Sequence, residues 1–311
     1  ISGIGDVNGD RYQDFLITAP QAANGTGQGY VLFGPLNLDQ IGTTFDLNLT
    51  SNDNKTTFLL NGNLPNQLAG KAGGAIGDIN NDGVDDLMIT APNVNQLYNV
   101  FGHPWLADNG SIKLANISSD NGFVIDGNLP NNQSLSGNGK DVEILGDING
   151  DGFADILSGG SGDGAILVFG GSTKDLLDSA TGNQNLIITV GNSAIAQVAK
   201  LGDYNGDGLK DFGVLADNGN FYLVLGNSNL ATLGNLSLTT FVINNAVNVN
   251  TIGDYNGDGY NDFILYNENN NATIYLGNKN GEFGGIYSGD TINISDRNFV
   301  VDSLGDYNGD G

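Results

Sequence analysis

The stretch GDYNGDGYNDF, Gly253 to Phe263, sets three Asp and two Asn among three Gly. It returns as GDVNGDRYQDF from Gly5, GDINNDGVDDL from Gly77, GDINGDGFADI from Gly146 and GDYNGDGLKDF from Gly202. A sixth copy, GDYNGDG from Gly305, is cut off by the end of the chain. The intervals between copies shrink from about 70 to about 50 residues, the length of one supersecondary unit and not of a domain, so the chain reads as a repeat array.

Each interval carries the same order of elements. A short apolar run follows the acidic stretch, as in DFLITAP ending at Pro20 and DLMITAP ending at Pro92. A second run closes on glycine: GYVLFG at Gly34, LYNVFG at Gly102, AILVFG at Gly170, FYLVLG at Gly226 and ATIYLG at Gly277. A third, such as NGFVIDG or NLIITV, is β-branched or alternating, and a fourth, such as DVEILGD, leads into the next acidic stretch. Runs this short, rich in Val, Ile, Leu, Phe and Tyr and punctuated by Gly and Asn, predict strands, and no helical period is sustained.

About four strands per unit, several of them apolar without alternation, predict small sheets buried on both faces by stacking on one another. An all-β propeller of four-stranded blades satisfies this. A β-sandwich does not explain an acidic loop at one fixed place per unit, and solenoid repeats are shorter, about 20–30 residues. The expectation is one propeller domain over 1–311, with acidic loops at 6–14, 78–86, 147–155, 203–211 and 254–262, a truncated loop at 306–311, and six or seven blades in a longer parent chain.

Counted from its first Asp, each loop places carboxylate or amide oxygens at the first, third, fifth and ninth places. Like charges converging on a tight turn repel unless a cation joins them. Six to eight oxygen ligands around a flexible loop suit Ca²⁺ better than Mg²⁺, which demands a stricter octahedron. An EF-hand would need Glu at the twelfth place, where this chain has Ile17, Ile89, Ser158, Val214 and Leu265, and strand-like sequence stands where its helices would be.

With Phe33-Gly34, Phe101-Gly102 and Phe169-Gly170, the TAP of Thr18 to Pro20 and Thr90 to Pro92, and the acidic loop between paired strands, the chain resembles the FG-GAP repeat of the integrin α-subunit propeller and its bacterial relatives. The resemblance runs the length of the chain. It implies Ca²⁺ ligation, about one ion per complete repeat. The side chains would be Asp6, Asn8, Asp10 and Asp14; Asp78, Asn80, Asp82 and Asp86; Asp147, Asn149, Asp151 and Asp155; Asp203, Asn205, Asp207 and Asp211; and Asp254, Asn256, Asp258 and Asp262. The carbonyls of Tyr12, Val84, Phe153, Leu209 and Tyr260 would add one ligand each. The sixth copy offers Asp306, Asn308 and Asp310 without a ninth place, and the first has Arg11 where the other complete copies have Gly, which predicts the weakest complete site.

Composition narrows the function classes. Asp+Glu 35 against Lys+Arg 10, a net charge of -25, opposes binding to phosphate backbones and anionic membranes, so nucleic acid is not an expected partner. No apolar run approaches a membrane span, and the start ISGIGDVNGD, without an initiator Met, reads as an internal piece of a longer chain. With no Cys there are no disulfides or thiol nucleophiles. His103, the one histidine, sits beside Pro104 and Trp105 and reads as structural; with no G-x-S-x-G, H-E-x-x-H or Gly-Lys-Ser/Thr motif, no catalysis is expected. Trp105 and the 11 Tyr are read as packing residues. Sequons such as those at Asn116 and Asn271 permit glycosylation without implying it.

The resemblance implies an extracellular or cell-surface module that binds protein or glycan, with the insertions at 35–73 and 107–140 as the variable surface. Millimolar Ca²⁺ outside the cell would fill weak loops. A structural component of a surface layer or filament, with self-association, and the propeller of a polysaccharide-degrading enzyme remain open alternatives.

Overall fold

The computed structural model describes residues 1–35, 56–126, 141–159, 164–171, 185–239, 243–268, 271–281 and 292–293. The sixth acidic copy and much of the insertions at 35–73 and 107–140 lie outside these. The chain divides into two compact units, the first made of 1–132, 136–140 and 170–183, the second of 133–135, 141–169 and 184–311.

In the first unit the strands are β1 (Ser2–Gly5), β2 (Asp14–Ala19), β3 (Gln28–Leu32), β4 (Thr57–Asn61), β5 (Gly73–Gly77), β6 (Asp86–Ala91), β7 (Gln96–Val100), β8 (Ser111–Lys113) and β9 (Gly122–Asp126). They form two sheets, ordered β1-β2-β3-β4-β8 and β5-β6-β7-β9. All neighbours are antiparallel except β8, which adds to β4 in parallel.

In the second unit the strands are β10 (Asp141–Gly146), β11 (Asp155–Gly159), β12 (Ala165–Val168), β13 (Asn185–Thr189), β14 (Ile195–Gly202), β15 (Asp211–Ala216), β16 (Phe221–Val224), β17 (Asn235–Ser237), β18 (Ala246–Gly253), β19 (Asp262–Asn267), β20 (Asn271–Tyr275) and β21 (Ile292–Asn293). The sheets run β10-β11-β12-β13-β17, β14-β15-β16 and β18-β19-β20-β21. Again one short strand, β17, adds in parallel, to β13. In the three-stranded sheet an isolated bridge from Phe221 to Ile243 stands where a fourth strand was expected.

The repeat and the sheet are offset by one strand. The run ahead of each acidic loop pairs with the run after it, so a loop opens each sheet as a hairpin connection. Within a unit the first strands of successive sheets lie side by side, β1 against β5, and β10 against β14 against β18. The sheets are thus stacked as propeller blades, and burial follows. Every residue of β6, β11, β12 and β15 is buried, as unalternating apolar runs require when both faces are covered. The cores lie between sheets. One holds Leu16, Val31, Phe58, Ile89 and Tyr98 of the first unit, and another joins Leu157, Leu167, Phe212 and Val214 of the second. Phe221, Phe263 and Tyr204 fill the next, with Phe221 and Phe263 ring centroids 5.4 Å apart.

One core position breaks the pattern. Asn99 in β7 is fully buried, and among the described residues neither of its side-chain polar atoms has a hydrogen-bond partner. A buried amide without partners costs about 1–3 kcal/mol. Asn99→Val is therefore expected to raise the urea midpoint of unfolding; a lowered midpoint would show that the amide is satisfied.

Candidate metal centre

Each acidic loop is closed the same way. The glycine ahead of the first place pairs across the hairpin with the ninth-place Asp: Gly5 with Asp14, Gly77 with Asp86, Gly146 with Asp155, Gly202 with Asp211 and Gly253 with Asp262. The register slips by one residue at that glycine every time, a β-bulge that turns the chain into the loop. Inside the loop the sixth place lies in the left-handed region in all five copies, with φ 73 at Arg11 and 89, 91, 92 and 89 at Gly83, Gly152, Gly208 and Gly259.

Arg11 is therefore the one sixth-place residue that carries a Cβ in a conformation favouring glycine. That strain is about 1–2 kcal/mol. Arg11→Gly is expected to raise the stability of the first loop by about 1 kcal/mol and to tighten any cation held there. Unfolding in urea with and without Ca²⁺ measures both, and an unchanged midpoint in each would remove the strain argument.

The first-place carboxylate organises the loop by accepting its amides. Asp78 Oδ1 accepts the Asp82 N–H (2.9 Å) and Oδ2 the Gly83 N–H (2.8 Å), and Asp203 and Asp254 do the same to Asp207, Gly208, Asp258 and Gly259. Asp6 and Asp147 each take a further amide, from Gly9 and Gly150. At the third place Asn8, Asn80, Asn149, Asn205 and Asn256 donate a side-chain N–H to the fifth-place Asp and accept that residue's backbone N–H. The fifth-place carboxylates, Asp10, Asp82, Asp151, Asp207 and Asp258, then accept the seventh-place amides of Tyr12, Val84, Phe153, Leu209 and Tyr260. First, third, fifth and seventh places are thereby drawn into one turn. Among the described residues, no three acidic or imidazole groups form a ready-made metal cage.

The ninth place behaves differently. Asp14, Asp86, Asp155, Asp211 and Asp262 are all fully buried. One oxygen accepts the second-place amide: Val7 at 2.9 Å, Ile79 at 2.9 Å, Ile148 at 2.8 Å, Tyr204 at 2.7 Å and Tyr255 at 2.8 Å. The other accepts the amide of the glycine that closes the second run: Gly34 to Asp14 at 2.9 Å, Gly102 to Asp86 at 2.7 Å, Gly226 to Asp211 at 2.8 Å and Gly277 to Asp262 at 2.8 Å. That glycine has to be bare, because a Cβ on Gly102 would stand 2.0 Å from the Asp85 carbonyl oxygen. Sequence reasoning missed this anchor. The signal was there: the glycine that closes the second run falls 20, 16, 15 and 15 residues after Asp14, Asp86, Asp211 and Asp262.

Burial pushes the carboxyls of Asp14, Asp86, Asp211 and Asp262 up. Asp14 and Asp211 rise to about 6 and Asp86 to about 7, with loss of solvent the largest cause, opposed by the amides each accepts and reinforced by loop carboxylates. Asp262 shifts the same way for the same reasons. A desolvated carboxylate beside other carboxylates is stabilised by a cation. The donor set, hard oxygens of Asp and Asn with a backbone carbonyl, is that of Ca²⁺. By donor chemistry, and by a carboxylate buried beside other carboxylates, the loops fit the ion.

Of the other residues singled out, His103 is exposed; its Nδ1 accepts the Trp105 N–H at 3.1 Å and its own N–H donates to the Val7 carbonyl at 2.8 Å, so it shapes a turn. Trp105 packs edge-on to Phe58, with ring centroids 5.7 Å apart.

Small antiparallel blades, each opening with an acidic hairpin loop, define a protein of the β-propeller class. The model of the FG-GAP repeat matches residues 2–32 and 72–103, the first two loops with their flanking strands. The later loops share their hydrogen-bond pattern. No curated protein matches the chain in sequence. Among solved structures it is similar to BBS1N in complex with ARL6DN (11% identity, TM-score 0.37, 86% of this chain and 65% of that one). It is also similar to Kluyveromyces lactis Hsv2p (10%, 0.30, 61% and 51%) and to a catalytically inactive virginiamycin B lyase from Staphylococcus aureus with quinupristin (11%, 0.31, 86% and 72%). The chain thus spans less than two thirds of the first two.

Proposed function

We propose that this chain is a calcium-stabilised binding module that works outside the cell or at its surface, presenting loops on stiff blades to a protein or glycan partner. The observation that carries the reading is the fivefold recurrence of a buried ninth-place carboxylate beside an oxygen-rich loop, a cluster of like charge that a hard cation would relieve. The side chains at the first, third, fifth and ninth places, with the seventh-place carbonyl, are the residues that would hold Ca²⁺. When bound, it would supply the positive charge that lets these oxygens approach one another. The chain itself orients them, through the bulge glycine, the left-handed sixth place and the amides of the closing glycine.

Extracellular Ca²⁺ modules bind at about 10⁻⁴–10⁻³ M, which sets the range to test. Calorimetric titration of the chelator-stripped chain is expected to show several sites in that range and no comparable heat with Mg²⁺. Binding of immobilised glycans and candidate surface proteins is then expected to vanish in EGTA. Absence of Ca²⁺ heats would remove the calcium reading; partner binding indifferent to EGTA would separate recognition from the loops; cleavage of a polysaccharide by the chain would replace a binding role with an enzymatic one.

A further inference from the structure

The loops of one unit do not stand alone. In the first unit the Asp6 N–H donates to Asp85 Oδ2 at 2.9 Å, and the Asp85 N–H donates back to the Asp6 carbonyl at 3.0 Å. In the second unit the Asp203 N–H donates to Asn261 Oδ1 at 2.9 Å, and the Asn261 N–H donates back to the Asp203 carbonyl at 3.0 Å. Asp85 and Asn261 both occupy the eighth place of their own loop, next to the buried ninth-place Asp. What they grip is the first place of the loop in the preceding repeat. Between the loops at 147–155 and 203–211 the eighth place is Lys210, which keeps only the backbone half, its N–H on the Asp147 carbonyl at 2.9 Å.

The glycine that opens each motif follows the same logic. A Cβ on Gly5 would stand 2.1 Å from Asp85 Oδ2, and one on Gly202 would stand 2.5 Å from Asn261 Oδ1. On Gly146 it would meet Lys210 Cγ at 3.0 Å, and on Gly77 and Gly253 it would meet nothing within 4 Å. The space is needed where an eighth-place side chain reaches in. A second tie lies beside the first: the N–H of His103 donates to the Val7 carbonyl at 2.8 Å and that of Asn278 to the Tyr204 carbonyl at 3.0 Å. First and second places of one loop are therefore both held by the following repeat.

We propose that the eighth-place residue is a positioning residue for the metal site of the preceding loop, Asp85 for the loop at 6–14 and Asn261 for the loop at 203–211. This rests on the calcium reading above. The first-place Asp holds its own loop through its carboxylate, while its backbone N–H and carbonyl are both engaged by the eighth place of the following repeat. The clasp holds that backbone from outside, and partners of metal ligands typically change affinity by 10- to 100-fold when removed.

The test is a Ca²⁺ titration of the whole ¹⁵N-labelled chain, followed at the amides of Gly208 and Gly259. Each donates to the first-place Asp of its own loop, at 2.9 Å and 2.8 Å, and so reports on that loop separately. In Asn261→Ala the Gly208 midpoint is expected to rise about tenfold while the Gly259 midpoint moves less, because the loop at 254–262 keeps all its ligands. Asn261→Asp, which retains the acceptor, is expected to restore the Gly208 midpoint. An unchanged Gly208 midpoint in Asn261→Ala, or equal shifts at both glycines that Asn261→Asp does not restore, overturns the positioning role and leaves the calcium reading standing. No Ca²⁺-dependent change at either glycine in the parent chain overturns both.

Discussion

Replacing about 10 mM Ca²⁺ with EGTA is expected to lower the Tm of the chain by about 10 °C or more. A ligand that binds only the folded state stabilises it by RT ln(1 + [L]/Kd), so loops with Kd near 10⁻⁴–10⁻³ M contribute about 1.4–2.7 kcal/mol each at that concentration. Three such loops in the second unit amount to about 4–8 kcal/mol, and in chains of this size each kcal/mol moves Tm by about 2–4 °C. The expected size follows from the loops acting together, since each ties the first strand of a sheet to the second. Matched scans in Ca²⁺, Mg²⁺ and EGTA decide the matter. A Tm that is the same in all three would mean that the loops are acidic turns, held by Asp and Gly alone.

Asp86→Ala is expected to destabilise the first unit by about 3–5 kcal/mol even in EGTA. Asp86 is fully buried and accepts two amides, from Ile79 at 2.9 Å and Gly102 at 2.7 Å. Alanine leaves both donors buried without a partner, at about 1–3 kcal/mol apiece, and adds a small void. Asp86→Asn is expected to lose less in EGTA, because it keeps one acceptor and removes a carboxyl whose charged form burial disfavours. In Ca²⁺ both variants should fall further below the parent, each having lost a carboxylate ligand. Urea unfolding of the three proteins in each buffer gives the comparison, and an alanine variant within about 1 kcal/mol of the parent in EGTA would show that the closing-glycine anchor contributes little.

The oxygen register of the loops is local, a matter of places one to nine, and was legible without coordinates. So were the strands. Alternation is absent from DLMITA and DILSG because both faces are covered, and the structure buries every residue of β6 and β11. The anchor on Asp86 was not legible as chemistry. The amide it accepts belongs to Gly102, 16 residues on, and only the pairing of β6 with β7 brings the two together. The parallel additions β8 and β17 escaped notice for a similar reason: three residues each, they carry no period of their own and exist as strands through β4 and β13.

Taken alone, the amino-acid sequence determined what lies within reach of a single repeat. It set the order of strands, the left-handed glycines that let the loop turn, the oxygens at alternate places, and the acidic excess. These depend on backbone conformation and residue type over a few positions, and such preferences are written residue by residue. Tertiary structure decided which carboxylate is buried and which stays at the surface, and which repeat holds which. Nothing local distinguishes Asp86 from Asp82, both acids of one loop; desolvation by neighbouring strands does. Nothing local marks Asn261 as the partner of Asp203 either, because that contact exists only once two sheets have stacked and a bare Gly202 leaves room between them.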